Sequence, residues 1–350
     1  MLIGKKKTAA GLDIGSSSIK LVELEGKIGN LGLVSLGYES LPDTAIVEGQ
    51  IMELNTVAEA IQNVFQAHGV TTNQVITGVS GYSVIVKTIN LQPISPEELE
   101  ESIVWQAEEN LGFRSSDVNF DYHVTESTQE HTKVLVAACK KERIELLKQA
   151  LRFAGKQPSV IDVDTFALQN CYEVNYQPSA SDVVALLNIG ASTTNVNIVE
   201  GTNSLFIRDI TMGGNQFTDA LQKGLGIGFQ QAEAIKRGMK EAAQGFDQET
   251  ISDLLQAPME YLSLEIQRTF DFFKANSEGS NVQVRKILIS GGGSKLAGFP
   301  EYLSSVMGVP VEVLDPFRQI KIDPRKFDPD YLSEVMPEMA LAVGLALRGF

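Results

Sequence analysis

Asp13-Ile14-Gly15-Ser16-Ser17-Ser18-Ile19-Lys20 lines up with Asn188-Ile189-Gly190-Ala191-Ser192-Thr193-Thr194-Asn195, and the likeness runs on through Glu25-Gly26 and Glu200-Gly201. The second stretch lies 175 residues after the first, half the length of a 350-residue chain. Each copy follows an apolar run, turns at a glycine among small hydroxylated residues, and leaves as another β-prone run. This pattern predicts a β-hairpin whose tip presents backbone N–H groups and hydroxyls, a shape suited to phosphate. Two such tips facing each other across a cleft would hold a nucleotide's phosphates from both sides.

Outward from these stretches, composition narrows the classes. The length suggests two or more domains. A formal charge of −15 argues against nucleic-acid binding, whose affinity comes from Lys and Arg neutralising phosphates, and against direct docking on an anionic lipid surface. Lys5-Lys6-Lys7 is followed by no apolar segment of a signal peptide. No stretch approaches the ~20 apolar residues of a membrane span. Cys139 and Cys171, two and far apart, read as buried or idle thiols of a reducing compartment. His68, His123 and His131 form no zinc-binding spacing. A cytoplasmic location is expected.

Three strands are predicted in residues 8–41, a helix over 55–68 closed by Gly69, and a strand over 74–79. Residues 83–157 read as a separate β-α-β-β-α module. Its first helix starts at Ser95-Pro96-Glu97-Glu98 and buries Leu99, Ile103, Ala107 and Leu111; its second, over 143–154, buries Ile144, Leu147, Leu151 and Ala154. A strand over 160–163 leads into a helix over 164–172. The second half repeats the programme: a strand over 183–187, the hairpin around Gly190, and a third strand over 203–210. Gly213-Gly214 then opens a helix at 215–223. Helices follow over 232–237 and 257–276, then a strand over 286–290 running into Gly291-Gly292-Gly293. A helix over 300–307, a strand over 310–314 and an Ala/Leu-rich helix over 337–347 end the chain. Residues 317–326, with mixed charges, are expected to form a surface loop.

These pieces, in this order, resemble the actin-like ATPase superfamily of actin, Hsp70 chaperones and sugar kinases, and the match covers essentially the whole chain. The resemblance implies an α/β, actin-like (ribonuclease H-like) duplicated two-domain ATPase fold. The first actin-like domain, 1A, would cover 8–182 with an inserted FtsA-type 1C subdomain at about 83–157. The second, 2A, would cover 183–337 with 2B at about 225–283, and residues 338–350 would close as a helix against the first domain. In the first phosphate loop Gly15 permits the tight turn, Ser16, Ser17 and Ser18 bind phosphate oxygens, Lys20 supplies a point charge, and Asp13 holds Mg2+ through water. An ordinary hairpin turn with a solvated Lys20 is the competing reading.

The second loop, with Asn188, Gly190, Ser192, Thr193 and Thr194, departs from the family pattern, which begins it with Asp. Asn188 can coordinate through its carbonyl but carries no charge and cannot act as a base, so weak or absent hydrolysis is expected. In Ile161-Asp162-Val163-Asp164, relatives place the residue that positions water at the γ-phosphate. Asp164 is the first candidate for that catalytic role beside Asp13, and Asp162 the second; a plain helix cap at Asp164 is the alternative. On the adenosine side, Gly291, Gly292, Gly293 and Ser294 would let backbone approach sugar and base, and Gly214 joins the cofactor-binding set. Glu233, Lys236 and Arg237, in E-x-x-K-R spacing, would bind ribose hydroxyls and flank the adenine; an exposed charged helix face is the alternative.

The inserted module resembles that of the FtsA-like branch. The chain stops after its closing helix without the membrane tail of FtsA, and Leu41-Pro42 is followed by Ile46-Val47-Glu48-Gly49-Gln50-Ile51. That combination is similar to the cytoplasmic actin-like proteins of type IV pilus assembly. The resemblance implies binding of ATP and Mg2+, and capture of the N-terminal cytoplasmic peptide of an inner-membrane partner, PilN, in a groove involving the 1C module. It further implies recruitment to the inner membrane by that partner, a link between cytoplasmic and periplasmic subcomplexes, and contact with pilus motor ATPases. A self-associating filament former of the FtsA/MreB kind and a small-molecule kinase of the same superfamily are the alternatives.

Overall fold

A computed structural model describes residues 7–93, 96–276 and 282–350. Lys5, Lys6 and the cap at Ser95 lie outside the described residues, as do the side chains of Leu99 and Leu111. The first half builds β1 (Thr8–Ile14), β2 (Ser18–Lys27), β3 (Asn30–Ser40), a short hairpin of β4 (Ile46–Val47) and β5 (Gln50–Ile51), α1 (Leu54–Ala67) and β6 (Gln74–Val79). Next come β7 (Val84–Leu91), α2 (Pro96–Leu111), β8 (Val118–Ser127), β9 (Thr132–Lys140), α3 (Lys141–Phe153), β10 (Gln157–Val163) and α4 (Asp164–Tyr176). The second half has β11 (Val183–Ile189), β12 (Thr194–Glu200), β13 (Asn203–Ile210), α5 (Gly214–Leu225), α6 (Phe229–Lys236) and α7 (Gln248–Asn276). It closes with β14 (Lys286–Ser290), α8 (Phe299–Met307), β15 (Val311–Val313), α9 (Pro329–Val335) and α10 (Ala340–Leu347).

Two five-stranded sheets repeat one plan. Their orders are β3-β2-β1-β6-β10 and β13-β12-β11-β14-β15. In each, the first three strands form an antiparallel meander and the last two join parallel to the first. The repeat extends to register. Asp13 pairs with Lys20 and Ile14 with Ile19; 175 residues on, Asn188 pairs with Asn195 and Ile189 with Thr194. Because alternate strand residues face opposite sides, matching register puts equivalent side chains on equivalent faces. The duplicated actin-like fold is therefore a property of the structure.

α4 and α10 lie between the sheets. Every residue of α10, Ala-Leu-Ala-Val-Gly-Leu-Ala-Leu, is buried, as expected of a helix apolar on all sides. One core cluster joins α4 and α10 to Val22 and Leu24 of the first sheet and Val184, Leu186 and Val199 of the second. Full burial of each large side chain here contributes ~1.5–3 kcal/mol. Two glycines set the close approach: a Cβ at Gly11 would overlap the Ala342 carbonyl, and one at Gly344 the Ala167 carbonyl.

A three-stranded sheet, β7-β9-β8, forms the inserted module. Ile103 and Ala107 of α2 pack on it with Ile89, Val134 and Val136. The second helix expected in this module belongs elsewhere. Ile144, Leu147 and Leu151 of α3 pack with Val57, Ile61 and Val64 of α1 in the core of the first large sheet.

Three expectations change in other ways. Residues 317–326 are not a plain surface loop: Phe317 and Ile320 are buried in the central cluster. Lys321 exchanges backbone hydrogen bonds with Leu31 and Leu33. α7 begins well before 257 and carries Pro258 inside it. α9 was not foreseen, although Asp328 caps it through the N–H groups of Asp330 and Tyr331, and Pro329 opens it.

Candidate functional site

Both hairpin tips close with the same backbone bond, Gly15 N–H to Ser18 O at 3.0 Å and Gly190 N–H to Thr193 O at 2.9 Å. Behind the first tip, the Lys20 ammonium lies 3.3 Å from the Asp13 carboxylate. Burial alone would lower the Lys20 pKa, but Asp13, Glu338 and Tyr38 outweigh it and hold the ammonium above the ordinary lysine range. Lys20 is therefore a fixed cation in the cleft and not a solvated surface lysine. A Cβ on Gly15 would come within 3.2 Å of both Lys20 Nζ and Ser18 O, so glycine keeps this turn tight.

The second tip carries the start of α5. Gly214 N–H donates to Gly190 O at 2.9 Å, and Asn215 N–H to Ala191 O at 2.8 Å. A Cβ on Gly213 would strike the Gly190 carbonyl, which explains the Gly-Gly pair. Asn188 is buried: its Nδ2 donates to Asn195 Oδ1 at 3.2 Å, and its Oδ1 lies 3.3 Å from the Ser290 hydroxyl, whose single hydrogen also has Leu187 O at 3.2 Å. Asn195 Nδ2 in turn donates to Asp209 Oδ1 at 2.8 Å.

Between the tips lies a cleft of about 1390 Å3. It is lined by Asp13, Ser16, Ser17 and Lys20 from the first half. From the second half come Asn188, Gly190, Gly214, Glu233, Lys236, Arg237 and the glycines 291–293. Three predicted residues stand behind its walls. Ser18 and Thr194 are fully buried, the Thr194 hydroxyl donating to Met212 O, and Ser294 Oγ donates to Gly291 O. Ser192 and Thr193 stay half-buried at the second tip.

The E-x-x-K-R residues of α6 and its end line the cleft, Glu233 and Lys236 half-buried and Arg237 exposed. Glu233 accepts from Thr218 Oγ1 at 2.7 Å and pairs with Lys236 and with Arg237, the latter at 3.0 Å. Burial pushes the Glu233 carboxyl upward, yet these partners bring it below the usual range; burial draws the Lys236 ammonium down. Lys236 also donates to Gly214 O at 3.1 Å, which ties α6 to the second tip. Arg237 reaches Tyr38 Oη of β3 at 3.4 Å, a contact between the halves.

The structure separates the two aspartates at the end of β10. Asp162 pairs with Arg348 at 2.9 Å, away from the cleft. Asp164 opens α4 without capping it; Val163 holds the cap position and no side chain bonds there. The Asp164 carboxyl is pushed up to about 7, by burial first and then by Asp13, with Ser80, which hydrogen-bonds to it, opposing. Space for it comes from Gly78, where a Cβ would overlap Asp164 Oδ1.

Sequence reasoning missed Tyr38, the Lys295–Glu338 pair at 3.1 Å, and Asp209. Lys295 lies two residues after the glycine run, which was a usable signal. Glu338 and Asp209 lie in unremarkable strings and gave none.

The donor set fits magnesium bound with phosphate. Asp13 and the Asn188 carbonyl are hard oxygens, and among the described residues no three His, Cys, Asp or Glu side chains converge. An ion held at Asp13 would complete its shell with phosphate oxygens and waters, the usual habit of Mg2+.

A second concavity of about 340 Å3 opens between the module and the first large sheet. Val79, Val84, Phe120, Ile144 and Val160 give it apolar walls, with Asp121 and Lys148 among its polar groups. Its flanking strands, β10 and β8, are the outer strands of their sheets.

Two halves of one topology, closing paired glycine hairpins on a polar cleft, define an actin-like ATPase fold. Two solved structures share that fold at low identity. EutJ, an ethanolamine utilization protein from Carboxydothermus hydrogenoformans, has a TM-score of 0.58 at 15% identity, covering 97% of this chain and 89% of that one. MreB5 of Spiroplasma citri bound to AMPPNP has 0.51 at 12%, covering 97% and 94%. The nearer likeness is to the structure of a PilM-PilN type IV pilus biogenesis complex: TM-score 0.86, 30% identity, 97% of this chain and 98% of that one. The family described as type IV pilus assembly protein PilM matches residues 11–350. The chain belongs to the PilM family of type IV pilus assembly proteins.

Proposed function

We propose that this protein is the cytoplasmic ATP-binding component of a type IV pilus assembly machine. In this reading it holds Mg-ATP in the cleft, binds the N-terminal cytoplasmic tail of PilN, and links the cytoplasmic and periplasmic subcomplexes. The observation that carries the nucleotide reading is the pair of hairpin tips in matching register, with the Lys20 cation and the α6 charges lining the cleft they share. The N–H groups and hydroxyls of Ser16, Ser17, Ser192 and Thr193 would receive phosphate oxygens, and Lys20 would neutralise part of their charge. Glu233 and Arg237 would face the ribose and base. The domain organisation follows the same reading, with the module's own core confined to β7, α2, β8 and β9.

For the tail, the apolar groove between β10 and β8 is the best-shaped receptor. Outer strands carry unpaired backbone groups that an extended peptide can join, with side chains at alternate positions entering apolar pockets. The similar structure, a PilM-PilN complex, supports PilN as the partner. Membrane association would come through PilN; among the described residues no helix is long and apolar enough to cross a membrane.

Isothermal calorimetry with nucleotide-stripped protein tests the first half of the reading. Mg-ATP is expected to bind at one site, and Lys20→Ala to weaken it at least tenfold. Absence of uptake by the unmutated protein would overturn the cleft assignment. For the second half, a labelled peptide of the PilN N-terminus should bind, and Val84→Asp, which puts a charge in the groove, should abolish peptide binding while the folded variant still takes up Mg-ATP.

A further inference from the structure

A single turn, residues 80–83, forms part of the structure between cleft and groove. It joins β6 to β7, and its neighbours on either side, Val79 and Val84, both line the groove. It also roots the module: Lys140 N–H donates to Ser83 O at 3.1 Å, and Val84 pairs with Cys139. On its other side two half-buried carboxylates grip it, one from each half. Ser80 hydrogen-bonds to Asp164 of the first half. Gly81 N–H donates to Asp209 Oδ2 of the second half at 2.6 Å. Gly81 sits at φ +82°, where a glycine backbone is at ease.

Asp209 is the end of a line that starts in the cleft. Asn188 lines the cleft and its Nδ2 donates to Asn195 Oδ1, Asn195 Nδ2 donates to Asp209 Oδ1, and the second oxygen of Asp209 holds Gly81. Asn195 accepts on one side and donates on the other, and the carboxylate accepts twice. A carboxylate alone can end the line this way, because an amide has one acceptor oxygen and not two. Turning the Asn188 amide toward a ligand would therefore withdraw the donor to Asn195 and disturb every later bond. Buried networks of this kind act as units, since breaking one link leaves its partner unsatisfied in a low-dielectric setting.

We propose that the turn over residues 80–83 is a transmission joint through which occupancy of the nucleotide cleft sets the shape of the peptide groove, with Asp209 as its positioning residue. The proposal rests on the nucleotide reading above and adds a route: ligand at Asn188 alters the hold on Gly81, and β7 and β9 of the module move with it. By linkage, a peptide in the groove favours one state of the cleft by the same factor.

Hydrogen–deuterium exchange on the full chain, with and without Mg-ATP, tests this. In the unmutated protein Mg-ATP should change exchange over residues 79–88 and 132–140 by about fivefold or more, the lower end of ordinary coupling. Trp105, the chain's one tryptophan and 60% exposed on α2, should report the same event by a change in emission. Asp209→Asn keeps size and shape but offers one acceptor. It should bind Mg-ATP in calorimetry and lose both responses. Asn195→Ala, which cuts the line one step earlier, should do the same and guards against a folding defect at 209. Mg-ATP binding without any change over 79–88, or a full response in both folded variants, overturns the joint while the nucleotide reading stands. No Mg-ATP uptake by the unmutated protein overturns both.

Discussion

Asn188 is the residue where chemistry and architecture make opposing demands. As an amide it can both donate and accept: it donates to Asn195, and its oxygen shares the Ser290 hydroxyl with Leu187 O. An aspartate there would supply the missing charge for orienting water, but it could not donate to Asn195, whose own amide is committed to Asp209. We expect Asn188→Asp to raise the steady-state ATP hydrolysis rate and to lower unfolding stability by about 1–3 kcal/mol, the cost of one buried unmet polar group. A phosphate-release assay and urea unfolding on the same preparation check this; an unchanged hydrolysis rate would show that the carboxylate is not what limits turnover. Asp164 allows a second prediction. Its folded pKa, near 7, stands above the unfolded value near 3.8, so the folded state holds an extra proton between those limits. Stability from this group is full below about pH 4 and falls as pH rises toward 7. Asp164→Asn, which mimics the protonated acid, should flatten the decline in unfolding free energy between pH 5 and pH 7.5. A slope that survives the substitution assigns the titration to another group.

The hairpins were readable because their information is local. A glycine, small hydroxylated neighbours and β-prone flanks fix a turn within a few residues, and the duplication showed that the pattern was no accident. Other elements were less legible because their determinants lie elsewhere in the chain. The spacing of Ile144, Leu147 and Leu151 gave α3 its apolar face but not its partner, and α1, some eighty residues earlier in the chain, claims that face. The helix expected over 257–276 in fact starts at Gln248 and carries Pro258 internally, although proline removes a helix hydrogen bond, with residues 262–273 packed on the second sheet. In residues 317–326 the charges dominated the reading, yet Phe317 and Ile320 sit three apart and turn inward together. That placement makes a firm test. Phe317→Ala should destabilise the protein by about 3–5 kcal/mol, the range for a buried aromatic, as measured by urea unfolding. A loss below about 1 kcal/mol would mean that the segment only lies against the core it is shown entering.

At the scale of the whole molecule, the two halves are joined differently at the base and across the cleft. At the base, α4 and α10 belong to one apolar cluster with both sheets. Across the cleft the links are polar and few, including Arg237 to Tyr38 and Gly81 to Asp209. Motion between the halves is then expected to pivot at the base and to open or close the polar side, where water can replace each lost bond. Unfolding should behave otherwise, because neither sheet can shed α10 without exposing the other. We therefore expect a single transition in differential scanning calorimetry, with agreement between calorimetric and van't Hoff enthalpies. Saturating Mg-ATP touches both halves, so it should shift that one transition upward as a unit, by about 2.7 kcal/mol at a hundredfold excess over Kd. Two resolved transitions, of which nucleotide moves only one, would mean that the ligand sits on a single half and that the facing hairpins do not share it. Gly344→Ala offers the complementary perturbation. Its Cβ would collide with the Ala167 carbonyl at the base, so it should lower the common transition without splitting it.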